Sequence, residues 1–173
     1  MRQSEEKYRT LVENSLMGIS QALPDGRLVQ VNEAYVKMYG YDTAGQMMNE
    51  IKDIGQQLYV NQEDRMEVLR ILTEKGIMEP REFAVRRRDG SVINILAAAC
   101  VIKDASGKVV CYQATHMDIT ERKQSEEKIK QQLAELLRWQ STMLDREDRV
   151  QKLKKEINEL SAKLGQPKKY GGG

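Results

Sequence analysis

This chain of 173 residues contains very few histidines and cysteines, the side chains that most often bind transition metals. There is one histidine, His116, and there are two cysteines, Cys100 and Cys111. This supply excludes histidine-rich metal centres, cysteine-based zinc or iron–sulfur sites and a disulfide-rich scaffold. The sequence also lacks a nucleophile paired with a base and a glycine-rich phosphate loop. We therefore predict neither catalysis nor a metal site.

All three of these residues fall on predicted strands. A lone histidine near the end of a strand is usually hydrogen-bonded or partly exposed, and a pH-sensing role is the alternative for His116. If Lys103 pairs with Lys108 across the intervening loop, Cys100 lies opposite Cys111. Reduced thiols are the favoured interpretation of that pair, and a redox pair is the alternative.

Charge is nearly balanced, with 28 lysines and arginines against 26 acidic residues. This balance argues against a large basic surface for duplex nucleic acid. We interpret the basic run Arg86-Arg87-Arg88 as a solvated strand edge, with an anion or nucleic-acid contact as the alternative. The sequence has no run of about 18 apolar residues and no signal-peptide core. We expect a soluble, cytoplasmic protein with no membrane segment.

Turn residues divide most of the chain into short strands and helices. Strands are predicted at residues 17–23, 27–31, 82–87, 92–102 and 108–117, and helices at residues 4–14, 32–38, 44–54 and 62–75. This order favours an α+β fold in which an antiparallel sheet has its helices on one face.

Three local predictions accompany this division. Ser4 caps the first helix, and Tyr8, Leu11 and Val12 form its apolar stripe. The fourth helix buries a face made of Met66, Leu69 and Leu72, with Val68 alongside. Asp89-Gly90 is typical of a two-residue hairpin between strands.

Several short motifs occur along this part of the chain in a fixed order. They are Glu5-Glu6-Lys7-Tyr8-Arg9, Pro24-Asp25-Gly26, Val31-Asn32-Glu33-Ala34-Tyr35, Gly40-Tyr41, Arg88-Asp89-Gly90-Ser91, Gly107-Lys108-Val109-Val110 and Asp118-Ile119-Thr120-Glu121-Arg122-Lys123. Over residues 2–123 the ordered set resembles the PAS (PAS/PAC) sensory domains of bacterial histidine kinases and diguanylate cyclases. The resemblance implies a five-stranded antiparallel sheet, no enzymatic activity, and a sensor or interaction module joined to other domains of a larger signalling protein.

The resemblance also implies which cofactors to consider, because some PAS domains hold haem, flavin or small metabolites between the central helices and the sheet. A flavin photoadduct needs a cysteine in a motif of the Asn-Cys-Arg type, which residues 54–64 lack. An oxygen-sensing haem needs a histidine on the long central helix, and residues 62–75 contain none. Both cofactors are therefore disfavoured, whereas a small apolar or mixed ligand stays open.

Small side chains on the penultimate strand leave room for such a ligand. Strand alternation turns Ile95, Ala97 and Ala99 inward. The predicted pocket residues are Tyr35, Met38, Tyr39, Leu69, Leu72, Phe83, Ile95, Ala97, Ala99 and Tyr112. The alternative is that these side chains form a packed core, which would make the domain an unliganded interaction or scaffold module.

The segment after residue 120 has helical periodicity and contains no glycine or proline before Gly165. The four residues Asp118, Ile119, Thr120 and Glu121 have the spacing of a capping box, which would start a helix directly at the edge of the sheet. A change in the last strand would then shift the helix. These four residues form the predicted signal junction.

Apolar residues recur at heptad positions a and d along this helix. The apolar seam is Ile129, Leu136, Met143, Val150, Ile157 and Leu164 at position a, with Trp139, Leu153 and Leu160 at position d. The pattern favours a parallel homodimeric coiled coil, with an antiparallel pair or a helix broken near residues 144–148 as the alternatives. Acidic and basic residues are mixed over residues 121–130, so we do not expect a DNA-binding basic zipper.

We divide the chain into a linker helix (residues 1–15), a PAS sensory domain (16–120), a coiled-coil signalling and dimerisation helix (121–164) and a flexible tail (165–173). The motif Gln-Ser-Glu-Glu-Lys occurs at residues 3–7 and again at residues 124–128. In tandem PAS proteins such linkers join successive domains, so we expect that Met1 replaces upstream chain.

Overall fold

The structure, a computed structural model, describes residues 2–167 and 169–171. Six helices and five strands lie within these residues. The helices are α1 (Arg2–Glu13), α2 (Glu33–Met38), α3 (Ala44–Glu50), α4 (Ile54–Gln57), α5 (Gln62–Lys75) and α6 (Thr120–Lys163), and the strands are β1 (Gly18–Ala22), β2 (Leu28–Val31), β3 (Ile77–Arg86), β4 (Val92–Lys103) and β5 (Val109–Asp118). The chain divides into two compact units, residues 1–123 and residues 124–173.

The strands of the first unit form one antiparallel sheet in the order β2-β1-β5-β4-β3, which confirms the predicted fold class. Ala99 of β4 lies opposite Ala114 of β5, and Ala22 of β1 lies opposite Tyr112 of β5. Residues of α2, α3 and α5 pack with the inward-facing strand residues in one hydrophobic core. Its largest fully buried apolar side chains are Tyr35, Tyr39, Met47, Leu72, Ile95 and Val85.

Each hairpin of the sheet is closed by a three-residue loop, at residues 24–26, 88–90 and 105–107. In every loop the last residue is a glycine whose amide donates to the carbonyl that opens the turn. These glycines have φ angles of 84° to 90°, a region that side chains with a Cβ atom disfavour. The predicted two-residue hairpin at Asp89-Gly90 is therefore wrong by one residue.

The β4–β5 loop also corrects the predicted register of the cysteines. The loop begins after Asp104 instead of Lys103, and the strand register shifts once more beside it. Cys100 consequently lies opposite Gln113, not opposite Cys111. Both cysteines are free thiols.

The predicted helix at residues 44–54 is two helices, α3 and α4. Asp53 separates them, because its Oδ1 accepts a hydrogen bond from Gly55 N at 2.8 Å and caps the second helix. The third strand also begins earlier than predicted, at Ile77. A bulge around Pro80 allows this extension, since proline cannot donate a ladder hydrogen bond.

Helix α5 is rotated relative to the predicted face, so that only Val68 and Leu72 of that face are buried. Its buried residues are Arg65, Val68, Ile71 and Leu72. Met66 is 62% exposed and Leu69 is half-buried. The inward face therefore includes a charged residue, which apolar periodicity does not select.

Helix α1 begins at Arg2, two residues before Ser4, its predicted cap. The side chains of Ser4 and Tyr8 lie outside the described residues. Within the rest of the predicted stripe, Val12 is buried and Leu11 is exposed. The stripe prediction is thus wrong at Leu11.

Asn32 fixes the start of α2 with both ends of its side-chain amide. Its Oδ1 accepts hydrogen bonds from Tyr35 N at 3.0 Å and from Ile19 N at 2.8 Å. Its Nδ2 donates to Val12 O at 2.9 Å and to Met17 O at 3.0 Å. Because Asn32 is only 1% exposed, these four bonds join α1, β1 and α2 away from water.

The second unit consists of α6 from residue 124 onward and the segment after it. The helix ends where Gly165 adopts a φ of 67° and Gln166 N donates back to the last turn. Asn158 Oδ1 then accepts hydrogen bonds from Lys169 N at 3.0 Å and from Tyr170 N at 3.1 Å. The flexibility of the tail stays a prediction.

Helix α6 runs without a break through residues 144–148. The alternative of a helix broken near these residues is therefore wrong. Across the described parts of the chain, no helix combines the length and the apolar character needed to cross a bilayer.

Candidate functional site

A cavity of about 40 Å³ lies in the core between the sheet and helices α2, α4 and α5. Four alanines line its sheet side: Ala22, Ala97, Ala99 and Ala114. The other lining residues are Tyr35, Tyr39, Ile54, Leu58, Tyr59, Arg65, Val68, Leu72, Met78, Val85, Ile95, Tyr112 and His116. The volume is that of a few water molecules. The cavity is thus a small apolar chamber with a few polar side chains.

Seven of the ten predicted pocket residues line this cavity: Tyr35, Tyr39, Leu72, Ile95, Ala97, Ala99 and Tyr112. Phe83 is buried elsewhere in the core, with its ring edge-on to Tyr59 at 5.9 Å between centroids. Met38 packs at the margin of the core. Leu69 lies on the half-buried side of α5, because that helix is rotated relative to the prediction.

His116 also lies in the cavity, and the sequence prediction missed it. Tyr112, Ala114 and His116 alternate along β5, so the inward position predicted for Tyr112 was the signal that leads to His116. The Nε2 atom of His116 lies 3.3 Å from Ser20 Oγ, and its ring is edge-on to Tyr35 with centroids 4.9 Å apart. The Nδ1 atom is buried and has no hydrogen-bond partner among the described residues.

This environment makes the stability of the fold depend on pH. Burial lowers the pKa of His116 to about 4, whereas the unfolded chain binds this proton near pH 6.5. The unfolded state therefore holds more protons between these values, and the free energy of unfolding falls as pH drops from about 6.5 towards 4. The stability that is lost in this range is fully present above about pH 6.5.

We expect the free energy of unfolding to decrease by about 2 kcal/mol through His116 between about pH 7.5 and pH 5. Urea titrations of the wild type and of His116→Gln at both pH values measure this decrease. The carboxylates contribute the same pH dependence to both proteins, so the difference between the proteins isolates the effect of His116. Parallel pH dependence in the two proteins would contradict a buried, neutral His116.

Three tyrosine hydroxyls add further polar groups to the wall. Burial raises the pKa of Tyr35 and of Tyr39, whose ring centroids lie 4.6 Å apart. Burial also raises the pKa of Tyr59, against the lowering effect of the Arg65 guanidinium beside it. All three hydroxyls stay protonated at neutral pH and offer a hydrogen-bond donor.

The cavity does not fit the two cofactors considered from the sequence. Its lining contains no cysteine, so a flavin adduct has no sulfur with which to form. Its volume of about 40 Å³ is far below the several hundred cubic ångströms of typical cofactor pockets. In this conformation the chamber suits a ligand of only a few non-hydrogen atoms.

The predicted signal junction comes directly after β5, the strand that lines one side of the cavity. One residue, Ile119, separates β5 from α6; it is buried, and its amide donates to Asn94 O on β4 at 2.8 Å. Asp118 Oδ1 accepts from Thr120 N at 2.9 Å, not from the amide of Glu121 as the predicted capping box requires. The box is wrong because Ile119 still belongs to the hydrogen-bond ladder of the sheet, so the helix begins after it.

Ion pairs hold both sides of this junction. Arg87 Nη2 lies 3.0 Å from Asp118 Oδ2, and Arg87 Nε donates to Met38 O at the end of α2, at 2.9 Å. Arg122 Nη2, in the first turn of α6, lies 2.8 Å from Glu82 Oε1 on β3. The junction is thereby connected to the helix that carries Tyr35 and to the edge of the sheet.

The basic run predicted to be a solvated edge has three different environments. Arg86 is exposed, Arg87 is half-buried at the junction, and Arg88 Nη2 lies 3.0 Å from Glu50 Oε1 on α3. The interpretation as a solvated edge is therefore right for Arg86 and wrong for the half-buried Arg87, whereas Arg88 is exposed but also forms an ion pair.

In the second unit the predicted seam lies on the surface of the helix. Eight seam residues are exposed and Ile157 is half-buried; the exposed ones are Ile129, Leu136, Trp139, Met143, Val150, Leu153, Leu160 and Leu164. Leu133, Leu137 and Leu144, outside positions a and d, are exposed as well and widen the apolar face over residues 129–144. Contiguous exposed apolar surface of this kind is typical of an interaction site.

Comparison with protein families matches residues 16–121 to a model described as a PAS domain. A search of curated proteins gives no match. Similar solved structures include the PAS domain of a protein from Colwellia psychrerythraea, with 18% identity and a TM-score of 0.60 over 68% of this chain and 98% of that one.

Two further structures come from signalling proteins. A sensory box histidine kinase/response regulator from Burkholderia thailandensis shares 21% identity, with a TM-score of 0.56 over 76% of this chain and 98% of that one. A domain of a sensory box sensor histidine kinase/response regulator from Geobacter sulfurreducens shares 20% identity, with a TM-score of 0.54 over 66% and 94%. At these identities the likeness establishes the fold.

Proposed function

Because this chain belongs to the PAS domain family, we propose that it is a sensory and dimerisation module of a bacterial signal-transduction protein. PAS domains are generally sensory and non-catalytic. In this proposal a change in the core passes through Asp118, Ile119, Thr120 and Glu121 into a parallel homodimeric coiled coil formed by α6. Other domains of the parent protein receive it. A cytoplasmic location and the absence of nucleic-acid binding stay predictions.

The observation that carries this proposal is the path of β5. The strand contributes Tyr112, Ala114 and His116 to the cavity, and α6 begins only four residues after His116, at Thr120. A displacement of the inner face of β5 therefore acts on the start of the helix through the backbone itself. Arg87 supplies a second connection, from the end of α2 to Asp118.

The exposed apolar seam supports the output half of the proposal. A helix of 44 residues cannot bury such a row within itself, and apolar a and d positions pack against a second helix. A second copy of the same helix covers the apolar a and d positions along its whole length. Arg146 occupies a d position between Trp139 and Leu153, so in a parallel pair it faces its counterpart and weakens the packing there.

A second candidate function is an interaction or scaffold module that holds no ligand, and the small volume of the cavity favours it. Native mass spectrometry of the purified protein distinguishes the two. A retained small molecule favours the ligand sensor, and a protein mass without adduct under conditions that preserve the dimer favours the scaffold.

The relay can be tested with two arginines of one basic run. In a background with Cys100→Ser and Cys111→Ala, single cysteines are introduced as Val150→Cys, Leu153→Cys or Ile157→Cys, and disulfide cross-linking between the two copies is measured. We expect Arg87→Met to change which position cross-links most, because it releases Asp118 and the end of α2.

Arg86→Met is the matched control, since Arg86 is exposed on the same segment. It should keep the wild-type cross-linking profile. Identical profiles in both variants would show that the contact between Arg87 and Asp118 has no influence on the helix.

A further inference from the structure

Arg65 is a charged side chain in an apolar place. It lies on the inward face of α5 with Val68 and Leu72, lines the cavity and is 8% exposed. Arginine is almost never buried to this extent without an ionic partner, because removing a charge from water is costly. A buried Arg65 therefore requires a group that compensates its charge.

Within the described chain that group is a tyrosine. The guanidinium carbon lies 5.9 Å from the centroid of the Tyr59 ring, and the guanidinium lowers the pKa of the Tyr59 hydroxyl against the effect of burial. No carboxylate of the described residues lies within ion-pair distance of Arg65. A phenol and a ring face leave several of the five guanidinium donors without a charged acceptor.

The more exposed arginines show the opposite arrangement. Carboxylates pair with Arg27, Arg70, Arg81, Arg87, Arg88 and Arg122, all of which are more accessible to water. Arg70, on the exposed side of the same helix as Arg65, contacts both Glu67 and Glu74 at 2.8 Å. Arg65, which is buried and faces the cavity, has no such carboxylate partner among the described residues.

The rest of the cavity lining is also complementary to an anion. It contains one cation, Arg65, and no aspartate or glutamate. Its tyrosine hydroxyls can donate hydrogen bonds, and the buried Nδ1 of His116 has no hydrogen-bond partner among the described residues. A buried guanidinium without a carboxylate and an imidazole nitrogen without a partner therefore line one small chamber.

We infer that this cavity binds a small monocarboxylic acid, with its carboxylate on the Arg65 guanidinium and its short aliphatic chain against Ala97, Ala99 and Leu72. The inference names the ligand class of the sensor and so rests on the proposed function. A carboxylate and a guanidinium form paired, charge-assisted hydrogen bonds, which a neutral ligand cannot replace. The small volume restricts the ligand to short chains, and the four alanines provide the surface for them.

The test is a titration of the full-length protein with sodium propionate, followed by NMR of the alanine methyl groups and the His116 ring. Propionamide has the same shape without the charge and serves as the ligand control. We expect propionate to shift the signals of Ala97, Ala99 and His116 in a saturable manner, and propionamide to bind at least about tenfold more weakly.

Arg65→Met removes the charge and keeps a side chain of similar length, and we expect it to weaken propionate binding at least about tenfold. Arg70→Met, on the exposed side of the same helix, should bind propionate as the wild type does. Equal binding of acid and amide to the wild type overturns the inference, and so does the absence of shifts from either compound. The comparison of acid with amide does not depend on whether Arg65→Met folds.

Failure of this inference and failure of the proposed function have different signatures. The cross-linking profile of α6 is measured without any carboxylate. A relay that works in that assay, together with a cavity indifferent to propionate, removes the ligand class and leaves the sensory module. If Arg87→Met leaves the cross-linking profile unchanged while propionate binds, the ligand class stands and the relay is removed.

Discussion

Replacing Leu153 and Leu160 together by glutamate is expected to convert the protein from a dimer to a monomer at micromolar concentration. Both leucines occupy position d, and they are 51% and 58% exposed on the single helix. Burying one leucine contributes about 1.5–3 kcal/mol, and a dimer buries four of them at these two levels. The double substitution should therefore raise the dissociation constant more than about a thousandfold.

Light scattering coupled to size-exclusion chromatography gives the mass directly. The matched control is Gln151→Glu with Ala162→Glu, which adds the same charge at two exposed positions outside the seam. That control should remain a dimer. A wild type that is monomeric at micromolar concentration, or a double leucine variant that stays dimeric, would contradict the predicted seam.

The second large effect is expected at Asn32, where alanine removes four buried hydrogen bonds at once. Each hydrogen bond contributes about 1 kcal/mol net, and the loss is larger when the remaining partner is a buried backbone group left unsatisfied. Four backbone groups are left in this way, on α1, the loop after it, β1 and α2. We expect Asn32→Ala to lower the free energy of unfolding by about 4 kcal/mol.

Asn61 offers a matched control within the same domain. It caps α5 with one side-chain hydrogen bond, from Glu63 N at 3.0 Å, and it is exposed. Asn61→Ala should cost about 1 kcal/mol. Urea unfolding of both variants measures the difference, and equal losses would mean that Asn32 acts only as an ordinary helix cap.

Strand alternation is what made much of the cavity predictable. It placed Ile95, Ala97 and Ala99 on the inner face of β4, where the structure has them. The same alternation from Tyr112 places His116 on the inner face of β5. The residue type alone suggests a partly exposed histidine and misses this position. Positional periodicity was the better guide there.

Helix α5 shows where a pattern of apolar residues fails. Met66, Leu69 and Leu72 look like a stripe because Arg65 is counted as polar, yet the buried face is the one that contains Arg65. A functional charge in a core reverses the rule on which the prediction depends. The residue that periodicity rejected is the one with which the cavity can recognise an anion.

Turn geometry accounts for the remaining errors. The loops at residues 88–90 and 105–107 use a left-handed glycine as their third residue, which moves each closing pair by one position. The cysteine register followed that error. The capping box failed for a tertiary reason, since the ladder between β4 and β5 continues to Ile119.

The central claim is that a change confined to the cavity alters the packing of α6 between two copies. Ala97→Val adds two carbon atoms inside the cavity, whereas Ala98→Val adds them on the opposite face of β4. The deciding measurement is the cross-linking profile at Val150→Cys, Leu153→Cys and Ile157→Cys in both backgrounds. We predict that Ala97→Val shifts the position of strongest cross-linking and that Ala98→Val leaves it unchanged; an unchanged profile in Ala97→Val would contradict the relay.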